Sequence, residues 1–268
     1  MSRLEARFSQ LKADGKKALI PFITAGDPTP GITVDLMLEL VSAGADVIEL
    51  GVPFSDPMAD GPVIQRASER ALEHHVSLRD VIGMVRHFRE QDSDTPVVLM
   101  GYLNPIEIMG YETFAAEAAD AGVDGALVVD IPPEEGGELL DAMSDNGLDQ
   151  IYLIAPTSTP ERIQRICDAA GGFVYYVSVK GVTGASNLDL QAVQRKLQEI
   201  RSATDLPVGV GFGIKDAQTA AAVSQLADAV VVGSALVSRV EALAGEPEKI
   251  GGALREVLSS MRQAMDAT

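Results

Sequence analysis

Eight short runs of Val, Ile, Leu and Ala recur along this 268-residue chain, at 18–24, 47–50, 97–100, 126–129, 151–154, 173–177, 208–211 and 229–232. Most lack polar alternation, so each reads as a strand covered on both faces. Segments of helical spacing separate them. Val34, Leu36, Met37, Leu40 and Val41 make one apolar stripe, and Phe114, Ala115, Ala118 and Ala119 make another. Eight strand–helix units in succession favour a closed barrel over an open doubly wound sheet. The expected fold is α/β, a (β/α)8 TIM barrel filling residues 1–268 as a single domain. Residues 2–12 supply an extra helix before the first strand, and 248–265 a closing helix. Two helix-to-strand turns share one punctuation, Ala43-Gly44-Ala45-Asp46 and Ala121-Gly122-Val123-Asp124, where Gly suits a left-handed helix cap.

Composition narrows the function. Hydrophobic residues are 46% of the chain and aromatics 4%, so the core is aliphatic. A formal net charge of −18 repels nucleic acid and anionic lipid. An anionic substrate must then be held by a local feature rather than by the global field. Cys167 stands alone, so no internal disulfide forms. His74 and His75 are neighbours that do not share a helix face and His87 is isolated, so no metal site is expected. The amphipathic, charged start lacks an apolar signal core, and no stretch reaches the about 18 apolar residues of a membrane span. The expected location is the cytoplasm.

In such a barrel the loops after the strands build the active site. The second strand ends Val47-Ile48-Glu49-Leu50-Gly51, which sets a carboxylate inside an apolar run. An ionised carboxylate there is costly unless paired or protonated. It is either one half of a buried ion pair or a functional acid–base group, and the absence of Lys or Arg from comparable strand ends favours function. The loop at 51–62 adds Asp56 and Asp60. Asp56 could cap a turn, and Asp60, before Gly61-Pro62, could be either catalytic or a helix N-cap. Asp27 and Asp130 are also candidates but lie outside strand interiors. Glycines follow strands six to eight, at Gly181, Gly184, Gly209, Gly211, Gly213 and Gly233, the last before Ser234. Backbone N–H groups there, with a helix N-terminus, can hold a phosphate without a cation. Phe22, Ile64, Met100, Leu127, Leu153, Tyr175 and Phe212 fall at or beside strand ends and could admit a flat apolar group.

These residues carry a resemblance. PFITAGDP at 21–28, ELGVPFSDP running on to ADGP at 49–62, DIP at 130–132, GVTG at 181–184 and VGFGI at 210–214 resemble the tryptophan synthase α subunit family along essentially the whole chain. The resemblance implies a lyase that splits indole-3-glycerol phosphate into indole and glyceraldehyde 3-phosphate by a retro-aldol reaction. Glu49 would be the principal acid–base group and Asp60 the second carboxylate. Phe22, Leu127, Tyr175 and Phe212 would surround the indole, and Gly184, Gly213, Gly233 and Ser234 would bind the phosphate. Thr183 would contact Asp60 as the loops at 54–61 and 181–187 close together. Val179-Lys180 departs from the family pattern, and Lys180 is given no role. The implied partner is a pyridoxal-phosphate β subunit in an α2β2 heterotetramer; no cofactor is expected in this chain. Two other readings remain. A phosphosugar aldolase would usually need a Schiff-base lysine at a strand end, and the eight runs contain none. A non-catalytic regulatory barrel would not need Glu49 and Asp60 together.

Overall fold

The computed structural model describes residues 2–178, 189–211 and 213–268. Eight parallel strands close on themselves in chain order: β1 (Ala18–Thr24), β2 (Ile48–Gly51), β3 (Val97–Gly101), β4 (Gly125–Val128), β5 (Asp149–Ile154), β6 (Val174–Val177), β7 (Val208–Gly211) and β8 (Ala229–Val232). Closure is direct, with Ala18 beside Ala229 and Pro21 beside Val232. The expected barrel is therefore present, with strand ends displaced by a residue or two. β5 starts at Asp149 rather than at the first apolar residue, because the ladder pairs Asp149 with Gly125 and Gln150 with Ala126 whatever their side chains.

Period-two alternation exists in the strands, but both faces are apolar. Ile20, Val47, Val98, Leu127, Ile151, Phe173 and Val231 fill the barrel interior. Leu19, Ile48, Leu99, Val128, Tyr152 and Val210 face the helices. A sequence read for polar alternation cannot see this division, because the helices cover one face and the barrel closes over the other. The parity matters at Glu49, which shares the inward side with Val47 and sits in register with Phe22 and Val98.

The extra helix spans Arg3–Ala13 and caps the barrel at the end where strands begin. Leu4, Phe8 and Leu11 join the interior cluster, and Phe8 meets Phe173 with ring centroids 5.6 Å apart. The closing helix runs Pro247–Asp266 and buries Ile250, Leu254, Leu258, Met261 and Met265. Both glycine caps form: Gly122 ends the Tyr111–Ala121 helix at φ 86°, and Gly44 follows the Thr33–Ser42 helix at φ 102°. No described helix is long and apolar enough to cross a membrane.

Candidate active site

Glu49 is 2% exposed, and among the described residues no Lys or Arg pairs with it. Its Oε1 has no hydrogen-bond partner. Among the described residues, then, Glu49 is not one half of a buried ion pair. Burial first, and the nearby charge of Asp60 second, push its carboxyl up to about 8. Such a group holds its proton at neutral pH and can still release it, as a general acid–base catalyst must. Tyr175 projects from β6 toward it; burial, then the Glu49 charge, raises the phenol well above its ordinary range.

Asp60 does not cap the Pro62–Leu72 helix; Gly61 holds that position without a side-chain bond. The Asp60 carboxylate instead accepts a hydrogen bond from the Tyr102 hydroxyl at 2.9 Å. That hydroxyl accepts from the Ala59 N–H at 3.0 Å, so Tyr102 fixes both the backbone and the carboxylate of the loop. Gln65 Nε2 donates to the Asp60 carbonyl at 2.8 Å, a further brace. Burial raises the Asp60 carboxyl, and the Tyr102 bond opposes the rise. The two acids thus differ as a catalytic pair needs: among the described residues Glu49 Oε1 meets no donor, whereas Asp60 is held by one.

Glu49 and Asp60 open onto one cleft at the mouth of the barrel. Phe22, Ile64, Met100, Tyr175 and Val231 form its apolar wall. Gly61, Gly213, Ile214, Gly233 and Ser234 line the remainder, and among the described lining residues none is Lys or Arg. Gly213 has φ 80°. Gly233 is the N-cap of the Ser234–Ala242 helix, so the positive end of that helix is directed at the cleft. Asp216, by contrast, caps its own Ala217–Ser224 helix.

The other expected residues fall elsewhere. Leu127 is 1% exposed and lies in the packed interior with Val98 and Ile151, off the cleft wall. Leu153 packs against the same cluster. Asp27 is held by Arg70 at 2.7 and 2.9 Å. Asp130 accepts from the Leu103 N–H at the start of the Leu103–Met109 helix, and Asp56 bonds Ser55. Thr183, Gly184, Phe212, Lys180 and the loop at 181–187 lie outside the described residues.

Two positions that support the site, Tyr102 and Gly51, escaped the sequence reading, and Gly211 entered it only among the phosphate-site glycines. Tyr102 follows a strand end, and that placement was the available signal. Gly51 and Gly211 end β2 and β7. A Cβ on Gly51 would lie 2.6 Å from the Phe22 ring, and one on Gly211 would lie 2.1 Å from the Tyr175 hydroxyl. Glycine is what lets these two rings lie flat against the barrel mouth.

Two carboxylates facing an apolar cleft with a glycine-lined helix N-terminus are the features that comparison with known proteins can now place. The family model described as "Tryptophan synthase alpha chain" matches residues 8–266. The tryptophan synthase alpha chain of Thioalkalivibrio sulfidiphilus is 66% identical over 266 residues, covering 99% of this chain and 100% of that one. That of Alkalilimnicola ehrlichii is 60% identical, covering 99% and 97%. Among solved structures, the tryptophan synthase subunit alpha of Legionella pneumophila str. Paris superposes with a TM-score of 0.93 at 47% identity, covering 100% of both chains. The aminoacrylate-bound tryptophan synthase of M. tuberculosis contains a chain with TM-score 0.87 and 36% identity, covering 99% of this chain and 100% of that one. Similarity of this extent leaves one assignment: the chain belongs to the tryptophan synthase alpha chain family.

Proposed function

We propose that Glu49 and Asp60 divide the chemistry of the family's reaction in this cleft. A tryptophan synthase alpha chain is a lyase that cleaves indole-3-glycerol phosphate to indole and glyceraldehyde 3-phosphate in tryptophan biosynthesis. Cleavage requires a proton delivered to the ring carbon that carries the side chain and a proton removed from the side-chain hydroxyl. The electron pair of the breaking carbon–carbon bond then returns to the ring. Glu49, protonated at neutral pH, donates to the ring carbon, and the carboxylate so formed takes the hydroxyl proton. Asp60, oriented by the Tyr102 hydroxyl, faces the indole N–H and as a carboxylate stabilises the positive charge that develops there. The flat ring lies between Phe22, Met100 and Tyr175, and the phosphate meets the backbone of Gly213, Gly233 and Ser234. The family resemblance also assigns substrate contacts to Thr183, Gly184 and Phe212.

The unpaired, buried Glu49 opposite Asp60 is the observation that carries this reading. Its test is indole release from indole-3-glycerol phosphate by the isolated chain. Absence of indole with and without a β subunit would overturn it.

The alpha chain name implies a beta partner. The pyridoxal-phosphate β subunit is proposed to dock over the mouth of the cleft in an α2β2 assembly. Met58 and Ile108 support this placement: they are 87% and 82% exposed, on the Asp60 loop and on the helix that follows Tyr102. Apolar side chains so exposed beside a site are suited to burial by a partner. Docking there would bear on both sides of the Asp60–Tyr102 bond, and partner and substrate would strengthen each other's binding.

A further inference from the structure

A smaller recess adjoins the cleft and shares Phe22, Asp60, Ile64 and Met100 with it. It reaches Thr24, Ser68 and Tyr102 and is about the size of one water molecule, far too small for an indole ring or a phosphate. Thr24 has the inward parity of Phe22 on β1, is 4% exposed, and its Oγ1 has no hydrogen-bond partner. Ser68 lies one helical turn after Ile64 and is 5% exposed. Tyr102 bonds Oδ2 of Asp60, and among the described residues no donor reaches Oδ1. Buried hydroxyls are rarely left unpaired, and a buried water typically makes about three hydrogen bonds. Thr24, Ser68 and Asp60 offer three.

We propose that one water molecule binds in this recess, bridging the Thr24 and Ser68 hydroxyls to the Asp60 carboxylate, and that Thr24 and Ser68 are thereby positioning residues for Asp60. A water donating to the carboxylate favours its charged form against the effect of burial. The groups that face Asp60 are Glu49 from β2 and Tyr102 ahead of the Leu103–Met109 helix, with Asp130 beyond Tyr102 and Tyr175 on the far side of Glu49. Among the described residues no Lys or Arg lines the cleft or the recess, and hydrogen bonds there oppose desolvation. The consequence for turnover rests on the role given to Asp60 above; the water site does not.

Thr24→Val keeps the side-chain shape and removes the hydroxyl, Ser68→Ala removes the second, and Thr24→Ser restores the first. A high-resolution crystal structure of the wild-type chain should show one water between Thr24 Oγ1 and Asp60, absent in Thr24→Val and present in Thr24→Ser. Carboxyl NMR in a Glu49→Gln background should show Asp60 titrating at higher pH in Thr24→Val. With Glu49 present, kcat should fall about tenfold near neutral pH, with its acid limb moved upward and KM little changed. Thr24→Val and Ser68→Ala should be less than additive, since both act through one molecule. A wild-type recess without water, or an Asp60 titration unmoved in Thr24→Val, would overturn the proposal. If water and titration behave as expected while indole formation is unaltered, the water site stands and the role of Asp60 fails.

Discussion

At the end of the barrel where strands begin, Asp46, Asp124 and Asp228 stand just ahead of β2, β4 and β8. Each carboxylate accepts from a backbone N–H of the preceding strand, at Leu19, Val97 and Val208 respectively. Each also meets an arginine: Arg262 at 3.2 Å, Arg89 at 2.8 Å and Arg201 at 3.2 Å. At the opposite end Glu49 is as buried as any of them and, among the described residues, has neither. The same kind of side chain becomes a charged strut where donors surround it and a proton carrier where they do not. The arrangement of donors, not burial, divides the stability end of this barrel from its chemical end.

The largest expected effect lies at the chemical end. Glu49→Gln keeps the shape and loses the proton, so indole formation should drop by roughly a thousandfold or more while the melting temperature holds. Near wild-type turnover in this variant would return Glu49 to a structural role. At the other end the pattern should invert. Asp124→Ala strips partners from the half-buried Arg89 and the Val97 N–H, and should cost about 3–5 kcal/mol in denaturant unfolding with kcat unchanged below the transition. A fall in kcat without loss of stability would erase the division between the ends.

Titration probes the same contrast. Unfolded Glu49 releases its proton near 4.5, whereas the folded carboxyl is pushed up to about 8. Between these values the native chain keeps a proton that the unfolded chain has lost, so this group's contribution to stability declines as pH rises. Relative to Glu49→Gln, wild type should therefore lose on the order of 4 kcal/mol across that window and nothing below it. Parallel stability profiles for the two chains would show that Glu49 is not desolvated as described. Activity should also fall above about pH 8, as Glu49 loses the proton it donates.

Smaller effects test the walls. Gly211→Ala drives a methyl into the Tyr175 hydroxyl and should cost about 1–3 kcal/mol of transition-state binding by displacing the ring, visible as lower kcat/KM. Unchanged kinetics would mean that Tyr175 is not part of the indole wall. The smallest effect should come from Lys215→Ala. If backbone groups and the helix terminus hold the phosphate, calorimetry should find substrate affinity within about twofold of wild type, as for a surface charge. A large loss would transfer the anchor to a cation.

The barrel was legible because eight unalternating apolar runs have one economical arrangement, and Glu49 because an acid within such a run is costly. Asp60 was ambiguous. The string Asp-Gly-Pro suits a cap as well as a catalyst, and only the bond from Tyr102, more than 40 residues further along the chain, separates the two. The Ala-Gly-x-Asp turns were read for their glycines, and their aspartates passed unnoticed because the donors at Leu19 and Val97 are 27 residues away. Leu127 was placed at the cleft from its position near a strand end. Strand parity puts it inward, but how far it lies below the mouth depends on the stagger between strands, which composition does not encode.

By itself the sequence determined which segments are strands, that both their faces are buried, and that an acid sits within the apolar run of the second. These follow from local preference and from the cost of isolating a charge, which act residue by residue. The tertiary structure alone decided that Tyr102 holds Asp60, that Gly51 and Gly211 make room for Phe22 and Tyr175, and that Thr24 and Ser68 meet behind the site. Those relations depend on closing the barrel at one register, and closure brings together residues that no local rule connects.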